Sequence, residues 1–578
     1  MALSAPTNPD LPSSWEIPGI YMSLNLQGSG AGLNGGIKAL HLMGYKAAAG
    51  SQPVDTPIQV ISQSDANTYF GRGSDLARLY AAAVAQVGPG VIDIYCTAIT
   101  ASGTAQTRKI VMAGPATAAG SVDVYICGYR ASTQVANGDT NTAISANMLV
   151  ELNKLLDVPC TFTDSAGTIT VTYRHACANG KDLPIIVNII GATGVTASPG
   201  TCTYVAASGS STGTTSLRIG ATTISITNTL DQSANSIATA MAAAINGGAY
   251  PITASAATST VTALYATDRV VNQLAGTTTA TSLTITDSFG TAASGAPTIT
   301  TALSNIAAQR SYRCWATSFD DATTLGTIST HIELYADGLN QKGQKVHVAS
   351  TLKLATAGAL PTDPSPALTA SPRYVVDWSP DHPQQAYELA ARTAAMVAVE
   401  DYYPRNYDGK ELKTRGTVPL MAPHAVSRPT PSDQNSALHT YYMTPIIVDP
   451  ASNKQVVLRG RTTSNSSDQR LWDWSFIDTI DYYRYDLGIF LGGRFKGKSY
   501  KVTGTPHSIN TITNQSVEDA AYERLKTYDD NDLFDDIESL KDSITANQDP
   551  VVPTRINLYI PMRPPINLHQ IGVVGGVV

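Results

Sequence analysis

The stretch RSYRCWATSFDDATTLGTISTHIELYADGLNQKGQKVHVAS, residues 310–350, decides the fold class. It opens with an extended run, passes through an Asp-Asp turn into a segment with helical periodicity, and closes on a second strand-like run. Two strands joined by a helix form a βαβ unit, and such units build parallel sheets because the helix carries the chain back across the sheet. The stretch therefore predicts an α/β fold.

Two further parts of the chain supply the rest of this core. In the first hundred residues, GGIKALHLMGYKAA and PGVIDIYCTAI read as buried strands, and SDLARLYAAAVAQV between them has the helical period. After the βαβ unit, PQQAYELAARTAAMVAVE predicts a helix with Ala and Leu on one face. We therefore expect an α/β (α+β) core that is built from an N-terminal and a C-terminal segment.

The middle of the chain, from about residue 101 to about residue 301, is rich in Ala, Thr, Ser and Gly and contains an internal repeat. SVDVYICGYR, TAISANMLVELNKLL and PCTFTDSAGTITVTY are echoed in order by SLRIGATTISI, ANSIATAMAAAIN and PITASAATSTVTALY. Pro159 and Tyr173 recur at the same spacing as Pro251 and Tyr265. A low-complexity linker would not keep this hydrophobic periodicity. The repeat predicts two similar small α+β domains in tandem, inserted between the two halves of the core.

The composition excludes several classes of function. Charged residues make up 14% of the 578 residues, well below the roughly 25% of average soluble domains, which indicates that much of the surface faces other protein. The formal net charge of −7 and the lack of a basic stripe argue against nucleic-acid binding. No apolar run is long enough to span a membrane, so we expect no stable membrane insertion. The N-terminal stretch lacks a signal-peptide pattern, and six scattered cysteines fit a reducing cytoplasm.

The segment GGRFKGKS, residues 492–499, satisfies the Walker A expression of phosphate-binding loops. LGIFL before it could be the strand that such a loop requires. A phosphate-binding loop must run directly into a helix, but YKVTGTPH follows and reads as a strand and a turn. The segment is therefore interpreted as a basic hairpin, and a P-loop nucleotide-binding enzyme is kept as an alternative.

Other catalytic patterns are weak. The chain contains neither a G-x-S-x-G elbow nor an H-E-x-x-H helix. Asp381 and His382 lie among prolines and read as a turn, and His424, His439 and His507 lie in loop-like surroundings without visible partners. We expect a protein that is not an enzyme and that has no cofactor, no catalytic residue and no metal site.

Several stretches together resemble the tail sheath proteins of contractile bacteriophages, a family shared with pyocin-like and type VI secretion sheaths. IPGIYMSLNL resembles the opening arm of the family, and VISQSDANTYFGRGSDLARLYAAAV resembles the segment that follows it. SFDDATTLGTISTHIE and PQQAYELAARTAAMVAVEDYYPRN resemble the next two family segments, and LGGRFKGKSYKVTG and RINLYIPMRPP resemble the end of the core. The motifs occur in family order. Cys314-Trp315-Ala316 departs from the apolar strand ending in Pro that is common in the family.

The resemblance implies a structural protein. Sheath subunits polymerise as stacked hexameric rings around an inner tail tube, and contraction drives the tube through the host envelope for genome delivery. The implied partners are further copies of the chain, the tube protein, and the baseplate and tail terminator proteins. The implied location is the virion tail, assembled in the host bacterial cytoplasm. A shell or adhesin protein with Thr-rich β domains is the other alternative.

With the resemblance, the predicted parts of the chain can be bounded. They are an N-terminal arm and linking strand (1–30), the first part of the sheath core (31–105), two inserted repeat domains (106–200 and 201–305), a subdomain with the βαβ unit and the Ala-rich helix (306–425), a C-terminal core domain (426–564) and a C-terminal linking arm (565–578).

The resemblance also assigns inter-subunit linking strands. Terminal arms that add a strand to the sheet edge of a neighbour would use the apolar stretches at both ends of this chain. The linking residues are Gly19, Ile20, Tyr21, Met22, Leu24 and Leu26 at the N-terminus, and Ile566, Leu568, Ile571, Val573 and Val574 at the C-terminus.

The predicted helical stretch 517–544, which is expected to begin with Ser516 and Asp519 in capping-box spacing, is the candidate for contact with the tube. Arg524, Lys526 and Lys541 would pair there with an acidic tube surface, and a helix that only faces solvent is the alternative. The inserted repeats are expected to project outward, so deletion of residues 106–300 is expected to leave assembly intact.

Overall fold

The computed structural model describes residues 37–569, apart from residues 193, 199, 209–211, 220–221, 249–251, 266–275, 279–282, 288–289, 292, 309–311, 352–353, 355–369, 401–405 and 417. The predicted N-terminal arm and the last nine residues of the predicted C-terminal arm lie outside the described residues.

The N-terminal segment forms one half of a central sheet. Its elements are β1 (Ala39–Tyr45), β2 (Pro57–Val60), α1 (Gln63–Phe70), α2 (Asp75–Val87) and β3 (Asp93–Ile99). β1 is buried along its whole length and runs parallel to β3. The Ser74 side chain accepts a hydrogen bond from the Ala77 amide and thereby caps the N-terminus of α2. The two strands and the helix predicted here are confirmed.

The first inserted repeat is a small α+β unit. Its elements are β4 (Thr107–Ala113), β5 (Gly120–Ile126), β6 (Tyr129–Val135), α3 (Asn141–Leu152), β7 (Cys160–Ser165), β8 (Thr168–Tyr173), β9 (Ile185–Ile190) and β10 (Thr196–Ser198). They form a four-stranded sheet in the order β10-β4-β8-β7 and a three-stranded sheet in the order β6-β5-β9. Alternating Thr and apolar residues build strands such as TITVTY in β8, with every second residue buried.

The second inserted repeat has the same topology. Its elements are β11 (Thr201–Ala206), β12 (Gly213–Ile219), β13 (Thr222–Asn228), α4 (Ala234–Gly247), β14 (Ile252–Ala257), β15 (Thr260–Tyr265), β16 (Gly276–Thr278) and β17 (Leu283–Asp287). The sheets are β17-β11-β15-β14 and β13-β12-β16, which match the first repeat strand for strand. The chain then returns beside its point of entry, where Thr104 pairs with Ser294 and the Thr107 amide donates to Thr291 over 3.0 Å.

The second half of the core completes the central sheet. Its elements are α5 (Thr300–Ala307), β18 (Cys314–Thr317), α6 (Ala322–Tyr335), β19 (Lys345–Ser350), β20 (Tyr374–Trp378), α7 (Ala386–Val399), α8 (Pro431–His439), β21 (Thr444–Val448) and β22 (Gln455–Val457). The eight-stranded sheet has the order β2-β3-β1-β18-β19-β20-β21-β22. β1 and β18 are parallel neighbours, so strands from both ends of the chain form one sheet. The α/β class with an inserted pair of α+β domains is confirmed.

A C-terminal unit packs after the sheet around its own apolar cluster, which includes Tyr483, Leu525 and Phe534. Its elements are α9 (Trp474–Phe495), β23 (Ser499–Tyr500), β24 (Thr511–Ile512), α10 (Asn514–Asp529), β25 (Thr545–Gln548) and β26 (Ile556–Tyr559). The described residues also contain short 3₁₀ helices at Ala178–Asp182, Ala425–Ser427, Gln469–Trp472 and Glu538–Ser543.

Two local predictions for this unit are wrong. LGIFL is not a strand but lies inside α9, because the apolar residues of this stretch continue a helix that has begun at Trp474. The helix α10 is capped by Thr513, with Ser516 completing the capping box, and does not start at Ser516 and Asp519. The predicted stretch 517–544 is one helix followed by a break and a 3₁₀ turn.

The two repeats differ in how they are packed. The largest apolar cluster joins β1 and the βαβ unit to side chains of the first repeat such as Ile126, Met148 and Tyr173. The described core of the second repeat consists only of its own residues, from Cys202 to Ala263. The first repeat is therefore integrated into the core, whereas the second repeat is a self-contained unit.

Candidate functional site

The beginning of the C-terminal arm has an inverted burial pattern. In residues 566–569 the polar residues Asn567 and His569 are half-buried, while Ile566 and Leu568 have 73% and 68% of their surface exposed. A segment that only covered its own subunit would bury the apolar side chains and expose the polar ones. The sequence-predicted residues Ile566 and Leu568 thus form an apolar edge that points away from the subunit.

The polar residues hold this segment against the chain's own core. The Asn567 side chain donates to the Ser475 hydroxyl over 2.6 Å at the start of α9. The ring nitrogens of His569 lie 2.6 Å from Asp408 Oδ2 and 3.0 Å from Asp473 Oδ2. Both ring nitrogens therefore face carboxylates, and the ring is fixed between two separate parts of the chain.

The backbone of the segment is fixed as well, and the Leu568 carbonyl accepts a 3.2 Å hydrogen bond from the Asn406 side chain. Sequence reasoning identified the apolar residues of this segment but missed their polar anchors. Asn567 and His569 alternate with Ile566 and Leu568, and this alternation was the available signal. The acceptors Asp408 and Asp473 lie far away in the sequence and were not detectable.

The remaining predicted linking residues lie outside the described residues. They are Gly19, Ile20, Tyr21, Met22, Leu24 and Leu26 in the N-terminal arm, and Ile571, Val573 and Val574 in the C-terminal arm.

The predicted tube-facing residues do not form one basic surface. Arg524 makes a bidentate pair with the buried carboxylate of Asp486, whose Oδ2 lies 2.6 Å from Arg524 Nε, and 14% of the Arg524 side chain is exposed. The hydrogen bonds to Asp486 raise the pKa of Arg524 further, so this residue is a fixed cation inside the subunit. It joins α9 to α10.

Lys526 and Lys541 are exposed. Lys526 Nζ lies 3.5 Å from Glu538, and Lys541 Nζ lies 4.8 Å from the Tyr522 ring centre. Residues 529–542 carry seven carboxylates and one lysine, so the surroundings of both lysines are acidic. Contact between these lysines and an acidic tube stays a prediction.

The Walker-like segment has the wrong geometry for a phosphate. Gly492 and Gly493 lie in the last turn of α9, which ends at Phe495. Lys498 therefore follows the C-terminus of a helix, where the exposed carbonyls repel an anion, and not the N-terminus that binds one. The interpretation as a basic hairpin is also wrong, because the segment consists of the end of α9, a short turn and β23, and β23 pairs in parallel with β24.

The four histidines named in the sequence analysis lie in different surroundings. His382 is buried in the predicted turn, with Nε2 2.8 Å from Gln455, and burial lowers its pKa to about 4. His424 caps a 3₁₀ turn, and His507 is exposed in a loop. His439 is not in a loop but ends α8.

One buried arrangement resembles a catalytic triad in composition. His347 Nδ1 lies 3.3 Å from Asp377 Oδ2, and the hydroxyl of Thr393 donates to the same oxygen. The hydroxyl bonds the carboxylate and not the imidazole, so the histidine is not placed as the base of a catalytic triad. All three residues have no exposed surface, which closes the arrangement to a substrate.

The described residues contain neither a metal-binding cluster nor a helix that could span a membrane. In this part of the chain no group of three or more His, Cys, Asp and Glu is arranged to hold a metal ion. No described helix combines the length and the apolar character that crossing a membrane requires.

Comparison with known proteins supports the resemblance seen in the sequence. No family model matches the chain. The Mu-like prophage FluMu tail sheath protein of Haemophilus influenzae is 26% identical over 181 residues, which are 31% of this chain and 37% of that relative. The match therefore spans well under half of the relative's length. It confirms the similarity to tail sheath proteins.

Two solved structures that align over most of this chain are described as sheath tail proteins. The sheath tail protein of Desulfitobacterium hafniense has a TM-score of 0.41 and 11% identity, and the alignment covers 92% of this chain and 93% of that one. The sheath tail protein of Listeria innocua has a TM-score of 0.40 and 9% identity, with 90% of each chain covered.

Proposed function

We propose that this chain is the subunit of a contractile tail sheath, a structural protein of a phage tail or a related injection particle. The observation that carries the proposal is the apolar edge of Ile566 and Leu568, which the subunit exposes while it anchors the polar residues that alternate with them. The similarity to a prophage tail sheath protein supports the same reading. In this proposal the subunits form stacked hexameric rings around an inner tube.

The arm would link subunits by strand addition. An extended segment with fixed backbone offers its free edge and its exposed apolar side chains to a neighbour, and the neighbour contributes a strand. The hydrogen bonds of Asn567 and His569 hold the start of the arm in one direction before assembly, which lowers the entropic cost of joining. Such a contact joins unlike surfaces of identical chains, so repetition produces rings or open helices.

Contraction would then move subunits as rigid bodies between arms that bend. The C-terminal unit is tied to the central sheet, because Asp478 on α9 lies 2.8 Å from Lys345 Nζ and 3.3 Å from Arg313. These three side chains are almost completely buried, and separating them would leave uncompensated charges inside the protein. Glycines at 572, 575 and 576 give the arm its freedom to bend in this scheme.

The proposal assigns the partners and the location. The subunit binds further copies of itself, the inner tube, and the baseplate and terminator proteins at the two ends of the tail. It functions in the virion after assembly in the host bacterial cytoplasm. Contraction draws on the difference in free energy between two assembled states, so neither a nucleotide nor a metal enters the mechanism.

Electron microscopy of the purified chain, in negative stain, tests the proposal together with sedimentation. The full chain is compared with a chain that ends at Pro565. We expect tubes or stacked rings from the full chain and monomers from the truncated chain. Closed shells would favour the shell protein instead, and monomers from both chains, with no tube formed around a co-expressed tube protein, would contradict the proposal.

The P-loop alternative is tested on the same samples. Measurable ATP binding that is lost in Lys498→Ala would revive it. The position of Lys498 behind a helix C-terminus predicts no binding.

A further inference from the structure

The end of the segment that resembles a Walker motif opens an exposed loop with an unusual surface, which we name the basic finger (residues 496–510). It contains Lys496, Lys498 and Lys501, and the sequence has no acidic residue between Asp486 and Glu518. Val502 and Ile509 on the same loop have 56% and 87% of their surface exposed. Exposed apolar side chains that are rimmed by polar and charged residues mark candidate surfaces for binding another protein.

The base of the basic finger is held in place. The Ser499 amide donates to the Asn510 carbonyl over 2.8 Å, and the Lys501 amide donates to the Ile512 carbonyl over 2.9 Å. The Tyr500 hydroxyl donates to the Asn514 side chain over 2.6 Å at the start of α10. The finger is therefore attached to the N-terminal end of that helix in a defined position.

The opposite end of α10 carries the opposite charge. Residues 529–542, which we name the acidic end, contain seven carboxylates and one lysine. Burial and the neighbouring charges of Asp530, Asp536 and Glu538 raise the pKa of Asp529, so the carboxylates repel one another. Both patches also oppose the helix dipole, which disfavours cations at the N-terminus and anions at the C-terminus. Neither patch is explained by the stability of the subunit.

The two patches do not neutralise each other within one chain. α10 has 16 residues and is about 24 Å long, and charges this far apart in salt solution are screened because the Debye length is about 8 Å. A second copy that is displaced along the helix direction brings its finger to the acidic end of the first. We propose that the basic finger of one subunit docks on the acidic end of a neighbouring copy.

This contact rests on the proposed function and adds a second link between subunits, independent of the arms. It joins two different surfaces of identical chains, so it repeats without closing on itself and suits a helical array. The apolar residues Val502 and Ile509 become buried at the contact, while the charges fix its orientation.

Charge reversal tests the contact. The finger variant is Lys496→Glu with Lys498→Glu, and the acidic-end variant is Asp530→Lys with Asp535→Lys, all at exposed positions. Asp532 and Asp536 are avoided because their φ angles of 56° and 60° disfavour a lysine. The matched control is Lys154→Glu with Lys413→Glu. It changes the net charge by the same amount as the finger variant, but at exposed sites elsewhere on the subunit.

We expect each reversed variant alone to lose at least tenfold in self-association by sedimentation, and the control to assemble like the wild type. In an equimolar mixture the two variants can alternate. Each reversed, acidic finger then meets a reversed, basic end, and each basic finger meets an acidic end, so we expect the mixture to assemble. Unchanged assembly of either variant, or no recovery in the mixture, would overturn the proposal. A finger variant that still forms tubes alone but no longer binds a co-expressed tube protein would assign the finger to the tube and would also overturn it.

The outcomes separate this contact from the proposed function. If tubes still form in both charge-reversed variants and are lost only on truncation after Pro565, the sheath function is supported and the proposed contact is rejected. If the chain forms charge-dependent oligomers but never tubes or rings, the proposed contact is supported and the sheath function is rejected.

Discussion

The hydroxyl of Tyr173 donates a 2.7 Å hydrogen bond to the carboxylate of Asp75, and this bond joins the first inserted repeat to helix α2 of the core. Asn179 donates to the other carboxylate oxygen over 2.9 Å, and the Asp75 amide donates to His175. All of these groups are buried. The first repeat therefore supplies the partners of a charge that lies inside the core.

The first prediction concerns this bond. Tyr173→Phe keeps the shape of the ring and removes one donor from the buried carboxylate of Asp75, which is then left incompletely paired. We expect the free energy of unfolding of the core to fall by about 1–3 kcal/mol. Denaturant unfolding measures the loss, and Tyr559→Phe at a partly exposed position is the control, with a change below about 0.5 kcal/mol. Equal effects of both substitutions would show that the hydroxyl of Tyr173 is not special.

A second buried contact lies close by, between Arg78 of α2 and Glu388 of α7. The side chains form an ion pair with 5% and 2% of their surface exposed, and Arg78 also donates to the carbonyl of Asp157 in the first repeat. Burial raises the pKa of Glu388, and the adjacent guanidinium opposes that shift. The expectation that residues 106–300 can be removed is therefore revised, because the deletion would uncover Asp75, Arg78 and Glu388 together.

The second prediction is that the second repeat alone can be removed. Gly200 lies beside Val111, and Gly290 lies beside Thr107 on the same strand β4. These points are about 14 Å apart along the strand, and a linker of about six residues spans that distance. We expect a chain in which a Gly-Ser linker replaces residues 201–289 to fold and assemble. Size-exclusion chromatography and circular dichroism should distinguish it from the deletion of 106–300, which we expect to aggregate.

The third prediction concerns the apolar edge of the arm. Ile566→Ser with Leu568→Ser changes two exposed side chains, so the free energy of unfolding of the subunit should change by less than about 0.5 kcal/mol. Assembly should be lost, because in the proposed sheath these side chains become buried between subunits. Electron microscopy and sedimentation measure the effect, and Leu230→Ser, at another residue with 60% exposure, is the control. Normal tubes from the double variant would show that the apolar edge is not part of the assembly interface.

Much of the fold could be predicted because its signals are local. The burial of β1 and the helical period of α2 are visible in short windows, and the repeat shows itself because both copies keep the same order of strands. The helix α9 was missed at LGIFL because its Ile, Phe and Gly residues have low helix propensity, and packing of the long helix overrides that preference.

The assembly surfaces were only partly predictable. Ile566 and Leu568 could be named from their apolar character, but their direction depends on Asp408 and Asp473, which lie 161 and 96 residues from His569. In the same way, Arg524 reads as a free surface cation in the sequence, and only the fold shows that Asp486 holds it. Pairings across such distances leave no periodic signal in a single sequence.

The last prediction uses His41, which lies in the central strand β1 without exposed surface. Its ring packs 4.7 Å from the rings of Tyr312 and Trp315, and burial, with a smaller contribution from His331, lowers its pKa from 6.5 to about 3. Above pH 6.5 the ring is neutral in the folded and the unfolded chain. Between pH 6.5 and about 3 only the unfolded chain takes up the proton. Protonation of His41 in the unfolded chain therefore lowers the free energy of unfolding by about 1.4 kcal/mol for each pH unit that the pH falls.

His41→Phe removes this titration and keeps an aromatic ring in an apolar site. We expect the variant to lose about 2 kcal/mol less stability than the wild type between pH 7 and pH 5. Denaturant unfolding at both pH values measures the difference, and His424→Phe at an exposed position controls for the loss of a histidine. If His41→Phe and the wild type lose the same stability over this range, the ring of His41 is protonated in the folded chain or exposed by a local opening, and its place in the core must be revised.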